Sequence, residues 1–457
     1  MERQGTHKAL AAVVLAKIST DSPDAITAKL EQLVLSGDKE TEQAIEGLAY
    51  TTLQASVKEE VVSNEKVMKR LVTALKDRPT VMFGCLTVFS NLTTYRPTLS
   101  EEQKKMTQLK AYANSSKPAP ENQLDNDEHV TARCRKALDV DIVPALVASC
   151  KQTSSPANLA LVVTILLALS KEQKHRVKMT QQGAVKLLLQ IRERLKSTDN
   201  LSSDASTIER EAAHALARLL ISINPAHIFS SALPASSAVS ALASLLNQDQ
   251  EAENRNLLPT FEALLALTNL ASMDDGSVRE LELRLVWSQL EDHLLFSSNT
   301  LVQRASVELV CNMMNSPNCV AKFVGDGSKR EATRMRILLA LADAEDLATR
   351  RAAGGALAVL TEWDAAVAAI LDTKFDSGRS GIDILLAMCK DDSDEIKHRG
   401  FVCIANVANA PGEVGTKGQK AIEEKNGLQI LRTAMLKTKS VDVSGVGLEI
   451  LKIWASD

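Results

Sequence analysis

Aromatic residues are scarce in this chain, with 3 Trp, 3 Tyr and 8 Phe among 457 positions, and glycine is sparse at 19. No alternating Val/Ile/Thr segment bounded by turn pairs appears, which argues against a sheet and for an all-α chain. Basic charge is not in excess either: 53 Lys and Arg stand against 57 Asp and Glu, for a net charge of -4 spread along the whole length. Neutralising phosphates needs a basic excess, so nucleic acid is not expected as a partner. Long apolar runs are missing. The longest, "LALVVTILLAL" from Leu159, is about half of what spans a bilayer, and Thr164 interrupts it, so it reads as a core helix and no membrane partner is expected. The N-terminal "ALAAVVLAKIS" is short, rich in alanine and valine, and runs into more helix-like sequence, so no signal peptide is read.

The recognisable marks of chemistry are missing too. There is no G-x-x-x-x-G-K-[ST], no H-E-x-x-H and no G-x-S-x-G. The seven histidines are scattered, and none pairs with cysteine or carboxylate at ligand spacing. "GDGS" at Gly325 and "DDGS" at Asp274 read as loops between helices, and "LDNDE" at Leu124 as a solvated acidic loop. No metal, cofactor or enzymatic activity is expected. The seven cysteines (Cys85, Cys134, Cys150, Cys311, Cys319, Cys389, Cys403) are odd in number, form no C-x-x-C and mostly sit in apolar phrases. They read as reduced, buried thiols of a cytoplasmic protein.

What the chain does have is a recurring apolar phrase. "IEGLAY", "LTVFSN", "ILLALS", "ARLLIS", "LLALTN", "VELVCN", "LAVLTE", "FVCIAN" and "GLEILK" end at Tyr50, Asn91, Ser170, Ser222, Asn269, Asn312, Glu362, Asn406 and Lys452. The steps between them are 41, 79, 52, 47, 43, 50, 44 and 46 residues. Apart from the second, these match the roughly 40 to 47 residues of armadillo and HEAT repeats with short loop additions. The expected fold is a right-handed solenoid of armadillo/HEAT-like helical repeats, an elongated crescent running as one domain over 1–457. The unit is clearest from Asn158, where "NLALVVTILLALS", the polar turn "KEQKHR" and "VKMTQQGAVKLLLQIRERL" follow one another, with Gly183 separating two helices. Pro79, Pro144, Pro156, Pro259 and Pro317 fall at or near helix starts, where a missing N–H costs little.

The 79-residue step holds one ordinary repeat plus about 35 extra residues. These run from about Arg96 to Arg133 and begin "RPTLSEEQKKMTQLKAYANSS". Within them "SEEQ" is a capping box, so a short helix is expected from Glu101, with Met106, Leu109 and Ala113 on one narrow face. Glu101–Lys105 and Glu101–Lys104 support that helix. Tyr95 and Tyr112 flank it and either anchor it to the body or engage a partner. The stretch "NSSKPAPENQLDNDE" has almost nothing to bury. Four phrases end in Asn (Asn91, Asn269, Asn312, Asn406), which places an amide at the same edge of each unit. Such a row either hydrogen-bonds the main chain of an extended peptide or caps neighbouring helices. Trp287, Trp363 and Trp454 adjoin apolar helix residues and read as core.

Several longer stretches resemble the UCS family of myosin-directed chaperones: "EGLAYTTLQASVKEEV" from Glu46, "LTVFSNLTTYRPTLSEEQKKMTQLKAYA" from Leu86 and "LLALTNLAS" from Leu264. The resemblance continues through "RASVELVCNMMNSP" from Arg304, "RRAAGGALAVLTEW" from Arg350 and "RGFVCIANVAN" from Arg399, and the wording is most similar to fungal members. It implies an ATP-independent chaperone or co-chaperone that binds the myosin motor domain and assists its folding and actomyosin function. The family's binding surface, a concave groove plus an exposed loop, maps onto Asn91, Asn269, Asn312 and Asn406, and onto Tyr95, Arg96, Glu101, Lys104, Lys105, Gln108 and Tyr112. The tetratricopeptide domain with which animal members recruit Hsp90 finds no counterpart, so an isolated UCS domain is implied and Hsp90 would be met only indirectly. The alternative is an armadillo adaptor for linear peptides of another partner. Import receptors of that kind carry Trp four residues before the groove Asn, where this chain has Thr87, Leu265, Glu308 and Val402.

Overall fold

In the computed structural model the described residues are 14, 23–37, 40–96, 123–153, 155–196, 203–247, 256–325 and 327–455. Among them are 24 α-helices and no strand. Contacts divide the chain into two compact units, Met1–Pro259 and Thr260–Asp457. The first contains α1 (Pro23–Ser36), α2 (Thr41–Thr51), α3 (Ala55–Ser63), α4 (Glu65–Asp77), α5 (Met82–Thr93) and α6 (Asp127–Asp139). It continues with α7 (Ile142–Ser149), α8 (Pro156–Leu169), α9 (Gln173–Gln181), α10 (Ala184–Lys196), α11 (Ser203–Ile221) and α12 (Ser236–Ala243). Helix α13 (Leu258–Ala271) enters the second unit at its third residue, Thr260, and is followed by α14 (Gly276–Gln289), α15 (Thr300–Met313), α16 (Pro317–Val324), α17 (Lys329–Leu341) and α18 (Leu347–Leu360). Then come α19 (Asp364–Asp372), α20 (Gly381–Met388), α21 (Asp394–Asn409), α22 (Gly412–Glu424), α23 (Gly427–Lys437) and α24 (Val441–Ile453).

Each recurring phrase lies at the C-terminal part of one kind of helix: α2, α5, α8, α11, α13, α15, α18, α21 and α24. These ladder helices stack on one another, α2 on α5, α8 and α11 in the first unit and α15 on α18, α21 and α24 in the second. The stacking is driven by burial. Leu48, Leu86, Leu166 and Leu216 in the first unit and Leu309, Leu357 and Ile404 in the second are wholly inaccessible, each contributing about 1.5–3 kcal/mol before the entropy of ordering it.

The joints follow from local chemistry. Pro79 opens a short 3₁₀ turn, Pro156 and Pro317 are the first residues of α8 and α16, and Pro144 and Pro259 sit in the first turns of α7 and α13. Gly183 takes a left-handed φ of +93° between α9 and α10. The equivalent joints before α7 and α23 use Asp141 (φ 59°) and Asn426 (φ 55°), polar residues that tolerate this region better than other side chains with a Cβ.

Two readings of the sequence change. Trp287 is buried edge-on against Phe323, with centroids 5.9 Å apart, but Trp363 is 46% exposed. Trp363 precedes α19 at a turn, so its apolar neighbours in sequence point into the core while the indole does not. The run at Leu124 is not a solvated loop. Asp125 lies in a 3₁₀ turn and pairs with Lys58 and Arg133, and Asp127 and Glu128 form the first turn of α6. All seven cysteines are free; six are buried and Cys311 is half-buried.

Candidate functional site: the ladder edge and the neck of the insertion

Within each unit the asparagines sit on ladder helices that run side by side. In the first unit the Asn91 side-chain amide on α5 donates to the Ala49 carbonyl of α2 and to the Thr52 hydroxyl, both at 3.0 Å. In the second, Asn312 on α15 donates to the Thr268 carbonyl of α13 at 2.9 Å. Asn406 on α21 donates to the Ala358 carbonyl of α18 at 3.4 Å and to the Thr361 hydroxyl at 3.0 Å. Each amide therefore ties the end of one ladder helix to the carbonyls of the one before, which lack intrahelical partners at a helix C-terminus. The capping alternative describes these N–H groups. Arg218 of α11 makes the corresponding link where no Asn is present, donating to the Leu167 carbonyl of α8 at 3.2 Å. Asn269 is half-buried at the same register of α13, and its main-chain carbonyl accepts from Ser272 at 2.7 Å.

Residues four and eight positions before each Asn share its edge, since that spacing returns to nearly the same side of a helix. On α5 these are Thr87 and Phe83, the latter 57% exposed, with Tyr50 of α2 and Leu53 just beyond it also exposed. On α5 this edge is uncharged and partly aromatic, while the same positions of α2 carry the exposed acids Glu46 and Glu42. In the second unit the same positions carry Glu308 and Arg304 on α15, and Arg351, Glu395 and Arg399 occupy neighbouring turns of α18 and α21. Arg399 bonds Glu395 at 2.8 Å and the Arg351 carbonyl, lying across Gly355, where a Cβ would stand 3.2 Å from its Nη1 and 2.9 Å from the Cys311 sulfur. Burial pushes the Glu308 carboxyl above its usual range, with Arg304 and Arg351 opposing.

The second element is the neck from which the insertion departs. Arg133 of α6 is wholly buried. Its Nε donates to the Leu92 carbonyl at 2.8 Å, and Nη1 donates to the Leu124 carbonyl and to Glu59, each at 2.7 Å. Nη2 meets Asp125 at 3.0 Å. One guanidinium thus grips both ends of the undescribed segment 97–122 and the helix α3 beside them. Burial alone would raise the Asp125 carboxyl, but the Lys58 hydrogen bond and the Lys58 and Arg133 charges hold it below its usual range. Tyr95 adds a second clasp: its hydroxyl and that of Thr131 are 2.9 Å apart, and the Lys171 ammonium sits 3.8 Å from its ring centroid. Burial, with Cys134 nearby, raises the Tyr95 phenol, and burial pushes the Cys134 thiol up to about 12. Of the two roles open to Tyr95, these contacts are those of an anchor.

Arg96 is exposed at the edge of the described region. Glu101, Lys104, Lys105, Gln108 and Tyr112, with the capping box at Ser100, lie outside the described residues. The expected range 96–133 includes seven residues, Asp127 to Arg133, that belong to the regular helix α6.

Sequence reasoning missed Arg133, and with it a recurring device. Arg176 of α9 donates to the Ser170 carbonyl at 2.8 Å and Arg279 of α14 to the Ala271 carbonyl at 3.1 Å, each closing the end of the preceding ladder helix. The available signal was an Arg in the helix that follows three of the phrases, those ending at Asn91, Ser170 and Asn269. Among the described residues no cluster of three His, Cys, Asp or Glu could hold a metal ion, and no helix is long and apolar enough to cross a membrane.

Stacked ladder helices whose polar groups are spent on one another, with an insertion gripped at its base, define an armadillo-like helical-repeat scaffold. No family model matches the chain. Ring assembly protein 3 of Schizosaccharomyces pombe is 33% identical over 406 residues, covering 86% of this chain and 50% of that protein. The solved structure of UNC-45 from Drosophila melanogaster has a TM-score of 0.78 at 26% identity, covering 98% of this chain and 56% of that one. Another, bearing on features of the UNC-45 chaperone critical for binding and folding muscle myosin, has a TM-score of 0.76 at 24% identity, covering 97% and 45%, and shows the fold. The chain is a homologue of UCS-domain proteins, as its phrases imply. It spans about half the length of the relatives it matches.

Proposed function

We propose that this chain is a myosin-directed chaperone or co-chaperone of the cytoplasm, acting by binding rather than by catalysis and without ATP. The observation that carries this reading is the relationship to Ring assembly protein 3 over 86% of the chain, together with the likeness to UNC-45. In this reading residues 1–457 serve as a single UCS-like domain whose client is the myosin motor domain. The client meets the ladder edge marked by Asn91, Asn269, Asn312 and Asn406, and Arg96, Glu101, Lys104, Lys105, Gln108 and Tyr112 at or within the insertion. Tyr95 positions that insertion from the neck. Two features support the assignment: the exposed Tyr50, Leu53 and Phe83 offer apolar surface to a partly folded client, and the Arg133 grip fixes where the insertion leaves the body. Hsp90 enters only indirectly, through the client or a further protein.

The test is direct binding. Immobilised chain should retain a purified myosin motor domain from nucleotide-free buffer, and retention should weaken when Phe83 and Leu53 are both changed to Ser. A motor domain that passes through unretained, both before and after mild heating, contradicts the proposal.

A further inference from the structure

At the opposite end of α21 from Asn406, the second unit has a cleft of about 590 Å³ between the α20–α21 turn and α23. Three carboxylates and four ammonium groups line it, and three of these seven are accounted for internally. Asp391 accepts from Arg350 at 2.9 Å and from the Ser393 main-chain N–H at 2.8 Å. Asp394 accepts from Lys397 at 2.7 Å and from the Thr438 hydroxyl at 2.8 Å. What remains is uneven. Lys390, Lys437 and Lys439 are exposed and, among the described residues, hold no ion pair, while Asp392 is the one lining carboxylate without a partner. Three cations facing one carboxylate make a basic cleft on a protein whose net charge is -4.

The arrangement also has a direction. Lys390 stands on one wall, past the end of α20, while Lys437 and Lys439 stand on the other, at the end of α23 and in the turn after it. Cations on two walls flank a chain of carboxylates better than they converge on one small anion. Ile430 and Ala434 contribute apolar surface between the walls. The Thr433 hydroxyl is spent on the Gln429 main-chain carbonyl at 2.8 Å, and the exposed Gln429 side-chain amide can bond a passing main chain. We propose that this cleft docks an acidic linear peptide segment of a partner protein, at a site separate from the ladder edge and independent of the myosin reading. Exposed Lys–carboxylate pairs are individually weak, so the site works through several at once and gives binding that is sensitive to salt.

The experiment is fluorescence anisotropy with the full chain and a fluorescein-labelled ten-residue peptide of alternating Glu and Asp, at low and at physiological ionic strength. The expected result is binding at low salt that weakens as salt rises. It should drop about tenfold in the triple variant Lys390→Gln, Lys437→Gln, Lys439→Gln and persist in the matching triple Lys→Arg variant. These lysines also lie near helix C-termini, where cations favour the macrodipole, so the melting temperature of each variant is read alongside. Lys417→Gln with Lys420→Gln, elsewhere on the surface, should leave binding unchanged. No binding at low salt, equal binding by the Gln triple, an equal loss in the Lys417/Lys420 control, or displacement by inorganic phosphate at the peptide's own concentration would each overturn the proposal.

Discussion

The hydroxyls of Tyr95 and Thr131 lie 2.9 Å apart across 36 positions of sequence, one on each side of the insertion. With Arg133 bonded to the carbonyls of Leu92 and Leu124, this contact makes the two flanks of the insertion part of the repeat body.

Arg133→Met should therefore be among the most damaging single changes in the first unit. It removes the donors to two carbonyls and the cation shared by Glu59 and Asp125, of which Asp125 keeps Lys58 at 3.0 Å, a loss of about 2–4 kcal/mol. Equilibrium denaturation checks this. Arg133→Lys should recover little, because one ammonium cannot reach four acceptors in the guanidinium's plane.

Replacing residues 98–121 with a Gly/Ser linker of half the length should do the reverse. The neck keeps Tyr95, Leu124, Asp125 and Arg133, and halving the length of chain that joins two fixed ends changes closure entropy by only about 0.6 kcal/mol. The melting temperature should hold while retention of a myosin motor domain weakens. A replacement extended to Asp127 should unfold the first unit, since it deletes Asp125 and the Asn126 cap on the His129 N–H.

Asn91→Ala and Asn406→Ala test the ladder. Each removes the donor that reaches across from the next ladder helix; the Ala358 carbonyl keeps the Thr361 hydroxyl at 3.0 Å, so the cost should be about 1 kcal/mol at Asn406 and about 1–2 kcal/mol at Asn91. The loss should appear as a lower denaturant midpoint, and a Ser at either position should restore part of it at most, its hydroxyl being too short to span the two helices.

Glu282 on α14 is wholly buried, and neither carboxylate oxygen has a hydrogen-bond partner. Burial raises its carboxyl well above the usual range, with Arg279 opposing. A raised acid binds its proton more tightly when folded. Its contribution is neutral below the unfolded value of about 4.3 and becomes a growing penalty as pH rises from there toward the folded value. Glu282→Leu should raise stability at pH 7 by about 1–3 kcal/mol. The gain should shrink as pH falls toward 4, as melting curves across that range will show.

The period, the helix class and the proline-marked starts were legible in the sequence because burial writes them as spacing: the phrase ending at Asn312 cannot be apolar at that interval without a neighbour to cover it. The destination of the Asn91 amide was not legible. Its partner is the carbonyl of Ala49, a main-chain atom 42 residues away that carries no sequence signature. Arg133 was hidden for a related reason. A fully buried guanidinium looks like any surface Arg until Leu92, Leu124, Asp125 and Glu59 are seen around it. The exposure of Trp363 escaped notice because period identifies the apolar side of a helix but does not orient the residue just before one.

The central claim is tested most directly by light scattering from a myosin motor domain held at a temperature at which it aggregates, in nucleotide-free buffer, with and without equimolar chain. The account predicts that the chain suppresses the scattering, and that the 98–121 replacement suppresses it less at the same melting temperature. Equal aggregation with and without the chain would contradict it.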